Sequence, residues 1–314
     1  MQRTNLRLLT VFSTLITFTA SAQSEFLGLP ATSYIDNIAD FRLSGDEERA
    51  DIERFWTTRI FSGTYSYAHV DGKKSRGIRQ ESHAFVPEAY LESGSGWILN
   101  VGGLYVHDSA REKSFFSTET EDDSYAISIQ PAYDLFHVWE REGRPELLEQ
   151  SRLIAGVAGA YGHTEGDLEL HTWFFPPTVK YKTRADSYLL SPNLVFAQPF
   201  SDRLLALLIP AYTFTWSDSK IRGTSVDSHT AYHYFSLTGR GDYKVCERLV
   251  ATVFATWTLD THHSLGRVDR DWVEVGGQFH YALNNRMGLR AGYSYEYYPD
   301  FRVNRCFAGL QAGF

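Results

Sequence analysis

Four residues near the end of the chain have types and spacing that suit hydrolytic chemistry. Asp260, His262 and Ser264 alternate along one stretch, and Glu274 follows. A carboxylate that orients an imidazole can turn that imidazole into a general base. Our strand alignment sets Asp260 roughly opposite Glu274 with His262 one step above, so we expect the three to share a side. The alternative is that they are polar residues at the base of a loop.

Two short motifs within this group resemble outer-membrane hydrolases. Asp260-x-His262 resembles the base pair of omptin proteases, although the only Asp-x-Asp spacing, Asp269-Arg270-Asp271, comes later rather than on an earlier strand. His262-x-Ser264 with Glu274 is similar to the His-x-Ser and acid of outer-membrane phospholipase and lipid A deacylase, with Leu265 where those have Asn. The resemblance implies an outer-membrane hydrolase, lipase/deacylase-like or omptin-like, as an alternative function.

Other chemistry has weaker signals. Carboxylates and imidazoles gather near one predicted rim and could attract a divalent cation: Asp227, His229, His233, Asp260, His262, His263, Asp269 and Asp271. Their spacing is not that of any particular metal site. The sequence has no phosphate-cradling Gly loop and no CxxC motif. We therefore predict no metal and no cofactor.

These residues must be positioned by strands, because from Arg59 onward the apolar side chains recur with a period of two. In the stretch 248–260, for example, Leu249, Val253 and Trp257 alternate with Thr252 and Thr256. Six strands run one way, at 59–70, 97–107, 152–163, 204–216, 248–260 and 287–298. Six return, at 78–90, 125–136, 187–198, 229–243, 272–283 and 304–314.

The last of these strands resembles the closing strand of bacterial outer-membrane β-barrels. Phe314, Ala312, Leu310, Ala308 and Cys306 form one apolar row, and the sequence ends on the aromatic residue. The resemblance implies that Phe314, Ala312 and Leu310 are the insertion signal read by the barrel-insertion machinery. It also implies a fold: an all-β, transmembrane, antiparallel up-and-down barrel of about twelve strands.

The connections between strands support this interpretation. Turns on the predicted periplasmic side are mostly short, whereas the outer loops 108–124, 164–186, 217–228 and 262–271 are longer and charged. The connection 138–151 is a long periplasmic exception. The loop 164–186 could hide an irregular strand pair, so fourteen strands are the alternative count.

The N-terminus indicates export. Arg3 and Arg7 precede an apolar run, and Ala20-Ser21-Ala22 is a small-residue cleavage site, so we predict a signal peptide at 1–22. Residues 23–58 form a periplasmic or plug segment, in which Ser44 and Glu47 make a capping box for a short helix. The barrel then occupies 59–314, and the protein belongs in the bacterial outer membrane.

Composition narrows the function. The formal net charge of -8 disfavours nucleic acid, which selects basic surfaces. With 19 Tyr, 21 Phe and 7 Trp but only 2 Cys, the chain suits a barrel with aromatic girdles better than a disulfide-framed secreted domain. A secreted soluble all-β protein remains the other alternative. The oligomeric state is not readable.

The inward positions of the predicted strands carry charges of both signs. They are Glu88, Asp134, Arg240, Asp242, Glu274, His280, Arg290, Glu296 and Arg305. Charges removed from water must pair, so this lumen is either an ion-paired filling or a narrow aqueous pore. We therefore predict a narrow pore or a structural membrane protein that contacts outer-membrane lipid, with its solute unassigned.

Overall fold

The computed structural model describes residues 56–72, 78–113, 117–138, 148, 150–171, 178–224, 227–263, 271–284, 286–298 and 301–313. The predicted signal peptide, nearly all of the segment 23–58, Ser264 and Phe314 lie outside the described residues. No helix in the described part of the chain is long and apolar enough to cross a membrane.

Twelve antiparallel strands close into one barrel, as the sequence predicts. They are β1 Trp56–Gly72, β2 Ile78–Ser93, β3 Trp97–Lys113, β4 Ser117–Asp134, β5 Arg152–His171, β6 Val179–Ser201, β7 Leu204–Ile221, β8 Asp227–Cys246, β9 Leu249–His263, β10 Asp271–Asn284, β11 Met287–Tyr297 and β12 Phe301–Gly313. One short helix, α1 (Leu135–Val138), follows β4. The fourteen-strand alternative is wrong.

The barrel is closed by pairing of its first and last strands. The β1–β12 register runs without interruption from Ile60 opposite Gly313 to Gly72 opposite Phe301. Closure removes the unpaired strand edge that an open sheet would leave. We call the end that contains Trp56 and Gly313 the lower end, and the end that contains Gly72 the upper end.

Several strands continue through stretches that we predicted as loops. β3 and β4 stay paired up to Lys113 opposite Ser117, and β5 and β6 up to Leu170 opposite Val179. Cross-strand ion pairs support these charged extensions, for example Arg111 to Glu119 at 2.8 Å. Alternation of apolar and polar residues fades here because both faces are polar, while backbone pairing does not depend on it.

The barrel wall has its apolar side chains on the outer face and its polar side chains on the inner face, the reverse of a soluble β-sandwich. Outward residues such as Ile127 and Val253 are 68% and 67% exposed, whereas the inward Thr252 next to Val253 is only 3% exposed. A β-sandwich buries its apolar rows between two sheets. The single closed sheet therefore excludes the sandwich arrangement that we considered for a soluble protein.

Aromatic residues bound the outward apolar belt at both ends. Trp97 and Tyr133 pack edge to face at the lower end, with ring centroids 5.0 Å apart. Further up the same hairpin, Tyr105 and Tyr125 lie 5.2 Å apart. The stretch between Trp97 and Tyr105 has about the 9 to 11 residues that a tilted membrane-crossing strand needs.

Inward glycines make room for inward phenylalanine rings on neighbouring strands. Gly276 pairs with Phe254, and Gly292 pairs with Phe307. A Cβ at either glycine would overlap the partner ring, and at Gly292 it would also lie 2.7 Å from the carbonyl oxygen of Gly277. These two glycines are thus required by close approach inside the wall.

Candidate functional site

The inward wall holds the residues that sequence parity assigned to the lumen. Six of them are buried: Glu88, Asp134, Arg240, Asp242, Arg290 and Glu296. Glu274, His280 and Arg305 are half-buried on the same face. Their role in any pore stays a prediction, but their positions allow the charge pairing inside the barrel to be traced.

One ion-paired group lies at the lower end of the wall. The Arg152 guanidinium donates from Nε to Asp134 Oδ2 at 2.6 Å and from Nη2 to Glu92 Oε1 at 2.5 Å. The Tyr90 hydroxyl donates to the other Glu92 oxygen at 2.7 Å. The predicted set of lumen residues omits both Arg152 and Glu92. Glu92 lies beyond the predicted end of its strand at residue 90, and Arg152 is the first residue of the predicted strand 152–163.

Two further groups neutralise charge on opposite parts of the wall. Arg290 lies 3.7 Å from Glu88 and donates from Nε to the Thr64 hydroxyl at 3.0 Å. Arg240 contacts Asp242 at 2.8 Å, and the Thr252 hydroxyl donates to the same carboxylate at 2.5 Å. Arg290 and Arg240 therefore each have one carboxylate and one threonine hydroxyl beside them.

A fourth group surrounds Arg305 nearer the upper end. Arg305 Nη1 lies 2.8 Å from Glu296 Oε1 and 3.7 Å from Glu274 Oε1. The Tyr298 hydroxyl donates to Glu296 Oε2 at 2.9 Å. Removing one partner of a buried pair leaves an uncompensated charge, so these groups fix the arrangement of the interior.

An apolar layer lines the inward face at the lower end, beside the Arg152 group. It is one packed cluster: Tyr90, Ile98, Ala132, Ile154, Val195, Ala197, Leu205, Leu207, Ile209 and Val250. Tyr90, Ile154, Val195 and Ala197 are each 0% exposed. Apolar constrictions hinder passage of water and ions because they dewet. This layer could not be recognised from the alternation of single strands.

Two carboxylates face inward at the upper end. Asp108 and Asp122 are register partners on β3 and β4, three residues beyond the Tyr105–Tyr125 pair and thus outside the belt. Burial, with the nearby Asp108 charge, raises the pKa of Asp122 to about 7. Burial also raises the pKa of Asp108, although side-chain hydrogen bonds from Ser82 and Gln80 oppose the rise.

On the outward face, one arrangement of residues occurs twice just above the belt. In the first Tyr–Asp–His group, the Tyr105 hydroxyl donates to Asp123 Oδ1 at 2.9 Å and His107 Nδ1 lies 3.1 Å from the same oxygen. In the second, Tyr161 donates to Asp186 Oδ1 at 2.9 Å and His163 Nδ1 lies 2.7 Å from it. Both groups join an exposed tyrosine to polar residues at the edge of the belt.

The structure tests one expected juxtaposition within the hydrolase candidates, that of Asp260 and Glu274. Glu274 pairs with Thr256, and β10 begins with Asp271 opposite Leu259, so Asp260 is not opposite Glu274. On its other side, Asp260 pairs with Tyr234 of β8. The predicted alignment was wrong because the register of β9 against β10 depends on where the connecting turn lies, which the alternation of residues does not reveal. His262 is in β9, and Ser264 lies outside the described residues.

Metal ligation has no support in the described ranges, where no group of at least three His, Cys, Asp or Glu side chains could hold an ion. The two cysteines, Cys246 and Cys306, are free and exposed.

Comparisons with known proteins bear on the fold. Neither protein-family models nor curated proteins gave a match. Among solved structures, the translocator domain of the autotransporter NalP from Neisseria meningitidis is similar over 90% of this chain and 97% of that chain, with a TM-score of 0.60 at 10% identity.

Two other outer-membrane structures are similar. The β domain of the Bordetella autotransporter BrkA has a TM-score of 0.56 at 14% identity, covering 82% of this chain and 99% of that chain. An outer-membrane channel from Pseudomonas putida F1 has a TM-score of 0.55 at 9% identity, covering 82% and 95%. At such identities the likeness concerns the fold alone: this chain has the fold of outer-membrane β-barrels.

Proposed function

We propose that this protein is a bacterial outer-membrane barrel that forms a narrow, restricted pore. The observation that carries the proposal is the inverted wall. An apolar belt, bounded by aromatic pairs, faces outward, while the inward face holds paired charges. Hydrocarbon favours such an exterior, and a closed barrel leaves no backbone edge unpaired in it.

The proposed orientation has the lower end in the periplasm. The chain enters β1 and leaves β12 at that end, and an even strand count keeps both there. The long, ion-paired strand extensions then lie outside the cell, where β3 to β6 carry charge on their outward face. An exported precursor with a signal peptide at 1–22 and a periplasmic or plug segment at 23–58 belongs to the same proposal.

The interior supports a restricted pore rather than a wide one. Ion pairs hold the wall residues in place, and the apolar layer lines the periplasmic end. Such a layer opposes the passage of hydrated ions. Outer-membrane lipid is the proposed surrounding partner, and the insertion machinery is the proposed reader of Leu310, Ala312 and Phe314.

Membrane fractionation combined with gel mobility tests the proposal. The protein should be recovered with outer membranes, and unboiled samples should migrate faster than boiled ones because a closed barrel stays compact until heated. Recovery from the medium without detergent would contradict it. Planar-bilayer recordings should then give small, infrequent steps, and complete silence of folded, inserted protein would leave a structural role instead.

A further inference from the structure

Three primary amides are buried on one part of the inward wall. Asn100 on β3, Gln130 on β4 and Asn193 on β6 are 2%, 3% and 8% exposed. Asn100 and Gln130 are register partners. Asn193 pairs with Gly156, which lies opposite Ala132 on the strand that carries Gln130. We call these three residues the amide group.

The amide group has unused hydrogen-bonding capacity. Asn100 Oδ1, both amide atoms of Gln130 and Asn193 Oδ1 have no hydrogen-bond partner within the described part of the chain. The Asn193 Nδ2 group donates to the carbonyl of Ser191 at 3.2 Å. Buried polar groups of native proteins are nearly always satisfied, so these atoms indicate that something hydrogen-bonds to them in the functional state.

Small residues surround the amide group and keep bulky side chains away from it. Ala132 and Ala158 are buried beside Gln130, and Gly102 follows Asn100 on the inward face of β3. A Cβ at Gly156 would lie 3.0 Å from Ala132 Cβ and 3.2 Å from Asn193 Oδ1. The space beside Gly156 is therefore taken up by Ala132 and the Asn193 amide, and a larger residue at position 156 would push against the amide group.

The surroundings favour an uncharged occupant. Glu88, near Gly102, is already accompanied by Arg290 and accepts a hydrogen bond from Ser62. On the lower side, Ile98, Ile154 and Val195 belong to the apolar layer. An ion placed here would gain no opposite charge from the amides and would lose its hydration, whereas a neutral molecule would not incur that cost.

We propose that the amide group binds small uncharged solutes that carry carboxamide or hydroxyl groups. A primary amide has two N–H donors and one acceptor oxygen, so such a solute can accept a hydrogen bond from Gln130 and donate to two of the three carbonyl oxygens. This site deepens the proposed function, since it would lie along the lumen. Binding itself can be measured without permeation.

Saturation-transfer NMR on the full, folded chain in detergent micelles tests the site. Acetamide and acetate are suitable probes because they share shape and size but differ in charge. Heat-dependent gel mobility first establishes that each variant is folded. Gln130→Leu removes the residue whose two amide atoms both lack a hydrogen-bond partner among the described residues. Gln278→Leu is the matched control, a buried inward glutamine on β10 across the barrel.

Acetamide should give a saturable signal that acetate does not compete for. Gln130→Leu should weaken acetamide binding about tenfold, the change expected when a hydrogen-bonded partner is lost, and Gln278→Leu should leave it unchanged. Asn193→Ala, in a less buried position, should weaken it too and serves if Gln130→Leu does not fold.

Equal signals from acetamide and acetate, or unchanged acetamide binding in the amide-group variants, would overturn the site and leave water as its occupant. Because this assay needs no membrane, it can succeed even if bilayer recordings reject the pore, and it can fail while they support it.

Discussion

Arginine residues on the two faces of this wall differ in what they contribute. Arg152 is 6% exposed and contacts Glu92 and Asp134, which are 12% and 10% exposed. Arg111 makes a pair of similar length with Glu119, but the two are 56% and 40% exposed. Water and ions screen the second pair, while the first would leave two buried carboxylates uncompensated.

Arg152→Met should therefore destabilise the barrel by about 3–5 kcal/mol. Arg111→Met, its matched control, should cost about 0–1 kcal/mol. Denaturant titrations followed by the folded gel band measure both. Equal losses in the two variants would contradict the burial argument.

Asp122 gives the upper end a pH dependence. Because burial raises its pKa from 3.8 to about 7, the folded state binds this proton more tightly than the unfolded state. Stability should therefore fall as the pH rises from about 4 to about 7 and stay low above that range. The effect has the opposite sign from that of a salt-bridged carboxylate.

Asp122→Asn should remove this dependence, raising the unfolding midpoint at pH 8 while changing little at pH 4. At about 1.4 kcal/mol per unit of pKa, the gain at pH 8 is at most about 4 kcal/mol. Unfolding temperatures at the two pH values provide the measurement, and Asp202→Asn, at an exposed position in the turn between β6 and β7, provides the control. A variant that is stabilised equally at both pH values would refute the assignment to Asp122.

For single residues, the sequence predicted which face of the wall each side chain occupies, but not its partners. The period of two assigns Glu88, Arg240 and Arg290 to the inward face without knowledge of the neighbours. Which residues pair depends on register, and register is set by turns and irregularities. The unpaired state of Gln130 and the pairing of Arg152 with Glu92 were therefore out of reach.

At the scale of elements, twelve strands were predictable because their belt segments have one apolar face. The upper parts of β3 to β8 were predicted as loops because they lack that face. Cross-strand pairs such as Arg111 with Glu119 become visible only after the register is known. The same limit explains the wrong alignment of Asp260 with Glu274, since the alternation of apolar and polar residues does not show which residues of β9 and β10 face each other.

The closing strand should matter for assembly in cells more than for stability. Phe314→Ala is expected to lower the fraction of heat-modifiable protein in outer membranes, because the insertion machinery would read the terminal aromatic. Unassisted refolding into detergent micelles should be nearly unchanged. Phe200→Ala, which removes an aromatic side chain at the lower end that is 66% exposed, is the control.

If Phe314→Ala lowered the yield equally in cells and in micelles, the residue would be part of the packing rather than a signal.

For the whole molecule, the apolar layer is the feature that most limits conduction. It draws residues from β2 to β7 and from β9, so it forms only when seven strands come together. Sequence parity could assign each member to the inward face but could not show that they meet at one height. The sequence alone therefore does not distinguish an open lumen from one that an apolar layer restricts.

Adding hydroxyl groups to this layer should ease wetting. Ile154→Ser combined with Val195→Ser, which are register partners, should raise single-channel conductance several-fold in planar bilayers. Ala158→Ser adds a hydroxyl to the inward wall outside the layer and should have little effect. If both changes altered conductance equally, the layer would not be the restriction.

The central claim is that hydrocarbon surrounds the apolar face of a closed wall. Spin labels at Val253→Cys and Thr252→Cys, each with Cys246→Ser and Cys306→Ser, test it in lipid vesicles. We predict that the label at 253 collides freely with oxygen but not with a water-soluble nickel chelate, while the label at 252 is shielded from oxygen. A label at 253 that the chelate reaches, or that neither reagent reaches, would contradict the account.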